Sequence, residues 1–165
     1  MSEQAVASLD SRAFRHTVGH FVTGVTVIAV EIDGTIRGMT ANSFTSLSLD
    51  PPLVLFCVGK TTHMGHAIQS AGRFSVNILS QDQHHLSIYF AGAWKEPAPP
   101  PFSFVRWEGA HRLDGCVAAL GCAVETIYEG GDHWIVIGRV LTLHRTEEGA
   151  PPLVFCRGQY VKLGE

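Results

Sequence analysis

Two hairpin patterns constrain the fold of this chain more than any other feature of its sequence. Residues 118–128 and 133–143 are long runs in which apolar and polar side chains alternate, and the short segment between them holds two glycines and an aspartate. A second pair of runs flanks Asp33-Gly34. A tight turn between two such runs is typical of antiparallel strands. The sequence therefore predicts a mainly β fold with an antiparallel sheet, and closure of that sheet into a small barrel would remove its exposed edges.

The remaining elements follow from apolar periodicity and from start and stop signals. Further strands are predicted at 25–32, 35–40, 53–58 and 74–79, with short edge pieces at 153–156 and 159–163. Peripheral helices are predicted from Asp10 or Ser11 to Gly24, from Thr61 or Thr62 to Gln69, and over 81–91. The segment 92–101 holds four of the eight prolines and is predicted to be an irregular loop, at an edge or over a site.

Length and composition set the broad class of protein. The chain has 165 residues, which is the size of a single domain, 1–165, with one core. Charged residues make up only 16% of it, against an average of about 25%. With a net charge of −3 and no run of Lys or Arg, the composition argues against nucleic acid as a partner, and also against disorder and coiled coil. The low charge indicates apolar surface hidden in a subunit interface or around an apolar ligand.

Cysteine spacing and the lengths of the apolar runs indicate in which cellular compartment the protein is expected. The four cysteines form no CxxC pair, which favours reduced core residues. Residues 1–9 lack the basic and apolar regions of a signal peptide. All apolar runs are far shorter than the roughly 20 residues of a membrane span. We therefore expect a cytoplasmic protein with no membrane contact.

Common catalytic and metal-binding motifs are missing. The sequence contains no G-x-G-x-x-G, G-x-x-x-x-G-K-[ST], H-E-x-x-H or G-x-S-x-G pattern, which disfavours Rossmann, Walker, zincin and α/β-hydrolase sites. His16 and His20 are four residues apart and His63 and His66 are three apart. No Cys or carboxylate joins either pair at a ligand spacing, so we expect no metal site there.

An uncharged polar segment is the first candidate site. Residues 38–48 are rich in Ser, Thr and Asn and carry no charge. They offer hydroxyls, an amide and backbone N–H groups to a neutral heterocycle or a polyol. A Ser/Thr-rich edge strand that runs into a loop has the same composition, and both interpretations stay open on these residues alone.

Two turns supply further candidates. Residues 60–63, Lys-Thr-Thr-His, lie where a strand passes into a helix, a place that favours an anion such as phosphate. Simple N-capping by Thr61 or Thr62 explains the same residues equally well. In the turn before His133, glycine and aspartate are expected on structural grounds, but the histidine is not. His133 is therefore a candidate ligand contact.

Taken together, these segments resemble the short-chain flavin reductases. The resemblance covers about residues 12–162 and rests on FVTGVT at 21–26, MTANSF at 39–44, SLS at 46–48, DPPL at 50–53, GDH at 131–133 and GRV at 138–140. Members of that family are NAD(P)H:flavin oxidoreductases that supply reduced flavin to two-component monooxygenases. The resemblance implies an antiparallel Greek-key split β-barrel of the FMN-binding type, a homodimer and a monooxygenase partner. It implies FMN or FAD, with NADH or NADPH, as cofactors.

The resemblance also implies roles for individual residues. The segment 39–43 would line the isoalloxazine ring and ribityl chain, the turn 60–63 would hold the phosphate, and the hairpin tip would contact the nicotinamide nucleotide. The implied flavin residues are Met39, Thr40, Ala41, Asn42, Ser43, Ser46, Ser48, Lys60, Thr61, Thr62, His63, Phe90 and Gly92. The implied residues for the nicotinamide nucleotide are Gly131, Asp132, His133 and Tyr160.

Hydride transfer between two bound cofactors needs neither a general base nor a nucleophile, which agrees with the missing motifs. The absence of an Arg cluster near residues 131–133 favours NADH over NADPH. One alternative is a non-catalytic FMN carrier built on the same barrel. A second, an oxidase of the pyridoxamine-phosphate type, would need a basic cluster that the 12 thinly spread Lys and Arg residues do not supply.

Overall fold

The computed structural model describes residues 9–147 and 149–164 of the chain. Residues 1–9, for which the sequence predicts no signal peptide, therefore lie mostly outside the described residues. The helices are α1 (Ser11–Val18), α2 (His63–Ala71) and α3 (His84–Phe90), the last preceded by a short 3-10 turn over Gln81–Gln83. The strands are β1 (Thr23–Gly24), β2 (Thr26–Ile32), β3 (Thr35–Ala41), β4 (Thr45–Leu49), β5 (Pro52–Gly59), β6 (Arg73–Ile78), β7 (Phe104–Trp107), β8 (Ala110–Leu113), β9 (Ala118–Gly130), β10 (His133–Arg145), β11 (Val154–Cys156) and β12 (Gln159–Val161).

The main sheet has seven strands in the order β3-β2-β6-β9-β10-β5-β4, and every neighbouring pair is antiparallel. Both predicted hairpins are present: β2 pairs with β3 across Asp33-Gly34, and β9 pairs with β10 across Gly131-Asp132. The expectation of a mainly β, antiparallel fold is confirmed. The predicted edge pieces near the C-terminus do not extend this sheet, because β11 and β12 form a separate small sheet with β1.

The sheet is strongly curved. Its two edge strands, β3 and β4, are consecutive in the chain and are joined only by residues 42–44. Four Cα steps reach at most about 15 Å. The edges of a flat sheet of this size would lie about 29 Å apart, at six spacings of about 4.8 Å. The two edges therefore approach each other at residues 42–44.

Strand β2 is buried on both faces and divides the interior into two apolar clusters. Ile28 and Val30 point into a cluster around Phe56 and Phe74. Val27, which faces the other way, belongs to a smaller cluster under α3. The expectation of one core is therefore refined, because alternate side chains of a central strand supply two opposite faces.

The hairpin of β7 and β8 was not predicted from the sequence. Each strand has only four residues, which is too short for a clear alternation. The hairpin is held by side chains of β6: the Leu113 N–H donates to Asn77 Oδ1 at 2.8 Å, and Ser75 Oγ donates to the His111 carbonyl at 2.6 Å. Such distant partners leave no local signal in the sequence.

Helix α1 is shorter than predicted. Asp10 is its N-cap and accepts hydrogen bonds from the N–H groups of Arg12 and Ala13, as expected. The helix ends at Val18 rather than near Gly24, because the chain turns at Gly19 and then pairs as β1 with β11. The Gly19 carbonyl accepts a hydrogen bond from the Arg157 N–H at 2.7 Å, which anchors this turn.

The apolar residues around α1 face outward. Phe14, Val18, Phe21 and Val22 are all more than half exposed. Leu49 on the edge strand β4 is 94% exposed. None of the helices in the described ranges is both long and apolar enough to span a membrane.

Candidate functional site

A cavity of about 660 Å³ opens where the edge of β3, the end of β5 and the tip of the β9–β10 hairpin meet. This volume is typical of small-molecule and cofactor sites. The residues that line it are Met39, Thr40, Ala41, Asn42, Ser43, Cys57, Val58, Gly59, Lys60, Thr61, Thr62, Asp132 and His133. Three candidate segments that are far apart in the sequence therefore lie in one place.

The first wall is the end of β3 and the connection that follows it. Thr40 Oγ1 donates to the carbonyl of Ser87 on α3 at 2.6 Å, and Thr26 Oγ1 donates to the carbonyl of Ala41 at 2.7 Å. The Ser43 hydroxyl bonds both backbone groups of Cys57 on β5. These bonds fix the backbone of a polar segment at the edge of the sheet.

The second wall is the turn between β5 and α2. Thr62 is the N-cap of α2: its Oγ1 accepts from the Gly65 N–H at 3.0 Å and donates to the Gly59 carbonyl at 2.8 Å. Of the two predicted caps, Thr62 is therefore the cap, and Thr61 is an exposed residue of the cavity wall. Helix α2 begins at the cavity wall, and the first N–H groups of a helix have no intrahelical partner, an arrangement that favours an anion.

Lys60 lies in the same turn, but its ammonium group is already engaged. Its Nζ is 3.3 Å from Glu129 Oε1 and 4.6 Å from the centre of the Trp134 ring. Lys60 is the one lysine or arginine among the residues that line the cavity in the described part of the chain.

The third wall is the tip of the β9–β10 hairpin. His133 is the partner of Gly59 in the β10–β5 pairing, and the Lys60 N–H donates to the Asp132 carbonyl at 3.0 Å. His133 Nδ1 lies 2.7 Å from Asp132 Oδ1, and this hydrogen bond holds the pKa of the Asp132 carboxyl below its ordinary value. An ionised carboxylate only accepts, so Nδ1 carries the hydrogen, and in the neutral ring Nε2 is left as an acceptor.

Several predicted site residues lie outside this cavity. His63, Phe90 and Gly92 line a second cavity of about 430 Å³. The two cavities are adjacent, because Thr62 and His63 are chain neighbours that line different ones. The Phe90 ring packs directly against Gly38, where a side chain would clash with it.

The other predicted residues also lie outside the lining of this cavity. Ser46 and Ser48 are on the edge strand β4, and Gly131 is in the hairpin turn with a positive φ of 67°. Tyr160 lies on β12, where its hydroxyl is 2.7 Å from Ser87 Oγ. Through Ser87 it is connected to Thr40 rather than placed in the cavity wall.

Cys57, Val58 and Gly59 were not predicted as cavity residues. Their apolar run indicates only a buried strand, and the pairing of β5 with β10 is what brings them beside His133. Burial raises the pKa of the Cys57 thiol, so it is a neutral part of the wall. All four cysteines are free, as expected, but only Cys116 and Cys122 are buried in the core, whereas Cys57 and Cys156 are half-buried.

The cavity offers hydrogen-bond donors and acceptors on an uncharged wall at 39–43, with an anion-favouring helix start at one end and the charged side chains of Lys60 and Asp132 beside it. That donor set fits a polar heterocycle with a polyol chain and a terminal phosphate, as in a flavin nucleotide. Within the described residues, no group of three or more His, Cys, Asp or Glu side chains is placed to hold a metal ion.

Fold and cavity together define a small antiparallel β domain with a polar site for a small-molecule ligand. Comparison with known proteins narrows this class. Residues 18–164 match the family described as "Flavin reductase like domain". The chain belongs to this flavin reductase-like family, which confirms the resemblance seen in the sequence.

Curated relatives cover most of the chain. The reductase subunit HsaB of a flavin-dependent monooxygenase from Rhodococcus jostii is 40% identical over 94% of this chain and 80% of its own length. An NADH-dependent FAD reductase from Streptomyces globisporus is 43% identical over 82% of this chain and 77% of its own. The reductase component of 4-hydroxyphenylacetate 3-monooxygenase from Thermus thermophilus is 40% identical, with coverage of 92% and 95%.

Solved structures of flavin reductases have the same fold as this chain. The flavin reductase PheA2 superimposes with a TM-score of 0.90 at 41% identity, covering 95% of this chain and all of that one. The NADH:FAD oxidoreductase SgcE6 of Streptomyces globisporus, in complex with NAD and FAD fragments, gives a TM-score of 0.85 at 38% identity, with coverage of 96% and 98%.

Proposed function

We propose that this chain is an NADH-dependent flavin reductase that passes reduced flavin to a partner monooxygenase. The observation that carries the proposal is the single cavity in which the uncharged segment 39–43, the helix start at 60–62 and His133 meet. Relatives that match 82% to 94% of the chain are named as reductases of this kind.

Each wall of the cavity has its own role in this proposal. The segment 39–43 holds the flavin ring and ribityl chain through its hydroxyls, amide and backbone groups. Lys60, Thr61 and Thr62 hold the phosphate at the start of α2. The remaining flavin contacts come from Ser46, Ser48, His63, Phe90 and Gly92, and the nicotinamide nucleotide contacts from Gly131, Asp132, His133 and Tyr160.

A bound flavin and nicotinamide supply the chemistry themselves, since hydride passes from one ring to the other. The protein then has to hold the two rings together and to exclude water. His133 is suited to holding a nucleotide, because Asp132 fixes its ring and leaves its Nε2 free for the contact. Val58, which is buried in the wall of the cavity, is suited to excluding water.

NADH is the proposed donor. Relatives are named as NADH-dependent flavin or FAD reductases. The 2′-phosphate of NADPH would need a basic partner near the hairpin tip. In the described residues the hairpin tip carries two carboxylates, Glu129 and Asp132, and the nearby Lys60 ammonium is already paired with Glu129.

The proposal extends to architecture and assembly. We propose that the curved seven-stranded sheet is a Greek-key split barrel of the FMN-binding type, and that 1–165 act as one domain. A homodimer would cover the exposed apolar residues around α1 and β4, which include Phe14, Phe21 and Leu49. A monomer by light scattering at micromolar concentration would argue against this part of the proposal.

The decisive experiment mixes purified protein with NADH and FMN or FAD and follows the loss of NADH absorbance. We expect flavin-dependent NADH oxidation. His133→Ala should raise the apparent KM for NADH much more than it weakens flavin binding. His66→Ala is the control, because His66 is an exposed residue of α2 outside both cavities.

The alternative is a flavin carrier that does not oxidise NADH. Flavin binding without flavin-dependent NADH loss would favour the carrier. Equal effects of His133→Ala on NADH and on flavin would show that His133 is not a specific contact of the nicotinamide nucleotide.

A further inference from the structure

The ammonium group of Lys60 has a competing partner at the rim of the cavity. Glu129 and Trp134 face each other in the β9–β10 pairing, so the carboxylate and the indole ring come from directly opposed positions. Lys60 Nζ lies 3.3 Å from the carboxylate and 4.6 Å from the ring centre. The β9–β10 hairpin thus supplies two contacts for the ammonium group of Lys60, the one lysine among the described residues that line the cavity.

We propose that Glu129 lowers the affinity of the site for phosphate-bearing flavins by competing for Lys60. The inference rests on the proposed function, in which Lys60 contacts the flavin phosphate. A phosphate that recruits Lys60 has to replace the carboxylate, so part of the attraction is offset by the loss of the existing pair. A reductase that releases reduced flavin to a partner benefits from such moderated binding.

The exposure of the two side chains makes this exchange feasible. The Lys60 side chain is 27% exposed and that of Glu129 is 75% exposed. A pair exposed to this degree is held weakly, and its lysine can turn to a stronger anion without leaving a buried charge behind. Asp132, the other carboxylate of the hairpin tip, is engaged by His133 instead.

The test compares flavins with and without the phosphate. Binding of oxidised FMN and of riboflavin to the full chain is measured by quenching of flavin fluorescence at low ionic strength. We expect Glu129→Gln to lower the Kd for FMN about two- to fivefold, the range of an exposed ion pair, and to leave the Kd for riboflavin unchanged. The gain should shrink in about 1 M salt, where charges are screened within a few ångströms.

A matched control removes a different carboxylate from the same strand. Glu125 also pairs with a basic residue, Arg139, at 2.7 Å, but neither residue lines the cavity. Glu125→Gln changes the net charge by the same amount. Equal tightening of FMN by both variants would reduce the effect to overall charge and overturn the proposal.

Lys60→Met separates this inference from the proposed function. If Lys60→Met weakens FMN but not riboflavin, Lys60 is a phosphate contact, and the effect of Glu129→Gln should then become smaller in the Lys60→Met background. If Glu129→Gln leaves FMN binding unchanged although Lys60→Met weakens it, only the competition is refuted. If Lys60→Met leaves FMN binding unchanged, the phosphate role of Lys60 in the proposed function is refuted as well.

Discussion

The Ser43 hydroxyl bonds both backbone polar groups of Cys57, accepting from its N–H and donating to its carbonyl at 3.0 Å each. Thr45 is the partner of Leu55 in the β4–β5 pairing, so Ser43 stands opposite Cys57 in the same register. The Ser43 side chain thus forms the two hydrogen bonds with Cys57 that the backbone of a paired strand would otherwise form. It joins the connection between the two edge strands, β3 and β4, to β5 at the point where the cavity opens.

Ser43→Ala should therefore affect stability as well as binding. We expect the free energy of unfolding to fall by about 1–2 kcal/mol, since two backbone groups of Cys57 lose their partner. Flavin binding should weaken because the segment beside the cavity is less firmly held. Urea unfolding and flavin titration measure the two effects.

Ser70→Ala is the control for this substitution, because Ser70 is an exposed serine at the end of α2 with only a long local hydrogen bond. It should change stability by less than about 0.5 kcal/mol. Equal stability of both variants would show that the Ser43 bonds contribute nothing measurable.

The Asp132–His133 pair predicts a specific pH response. His133 donates a hydrogen bond to the Asp132 carboxylate and lowers its pKa. Because this pKa is lowered, the pair stabilises the folded protein at pH values above the ordinary range of aspartate titration. That stabilisation is lost as the pH falls through the lowered pKa. In a carbon NMR titration, Asp132 should titrate below the ordinary value of about 3.9.

His133→Ala should raise the pKa of the Asp132 carboxyl toward its ordinary value, because the hydrogen bond to His133 is the largest cause of the lowering. His66→Ala should leave the titration unchanged. If Asp132 titrates at the same pH with and without the imidazole, the hydrogen bond is not formed in solution.

Tyr160→Phe tests two roles of the C-terminal tyrosine. Its hydroxyl bonds the buried Ser87 Oγ, and Ser87 accepts from Thr40 through its carbonyl. Loss of the hydroxyl should lower the free energy of unfolding by about 1 kcal/mol. If Tyr160 also contacts the nicotinamide nucleotide, the KM for NADH should rise.

Steady-state kinetics beside urea unfolding distinguish these outcomes. Lower stability with an unchanged KM for NADH would show that Tyr160 only stabilises the structure around Ser87 and Thr40 and does not contact the nicotinamide nucleotide. Unchanged stability would exclude the structural role.

Gly138→Ala should destabilise the sheet. A Cβ at this buried position of β10 would overlap the ring of Phe74, which is only 2% exposed. We expect a loss of about 1–3 kcal/mol, as is usual for overpacking of a core. The measurement is the midpoint of urea unfolding.

Gly24→Ala is the matched control, since a Cβ there meets no atom within 4 Å. The midpoint of its urea unfolding should stay close to that of the parent protein. A Gly138→Ala variant of equal stability would mean that Phe74 moves aside without cost.

The hairpins β2–β3 and β9–β10, and several of the residues that line the cavity, could be predicted from the sequence. Alternation of side chains and a two-residue turn are local properties, so the predicted bounds of β9 and β10 are nearly correct. The histidine at the hairpin tip stands out because a turn does not need it. The composition of the uncharged segment 39–43 is that of an edge strand as well as of a binding segment. The predicted helix α1 is too long because its apolar spacing continues past Gly19, where pairing of β1 with β11 redirects the chain.

Only the tertiary structure decided which of these residues meet. Pairing of β10 with β5 places His133 beside Gly59, and the opposed positions of Glu129 and Trp134 bring a carboxylate to Lys60. These partners are about 70 residues apart in the chain, and no local pattern carries their register. The sequence alone determined the two long hairpins, their turns and the residue types of the candidate site. The shape of the cavity and the charge balance at its rim depend on the order of strands in the curved sheet, because that order sets which distant backbones share hydrogen bonds.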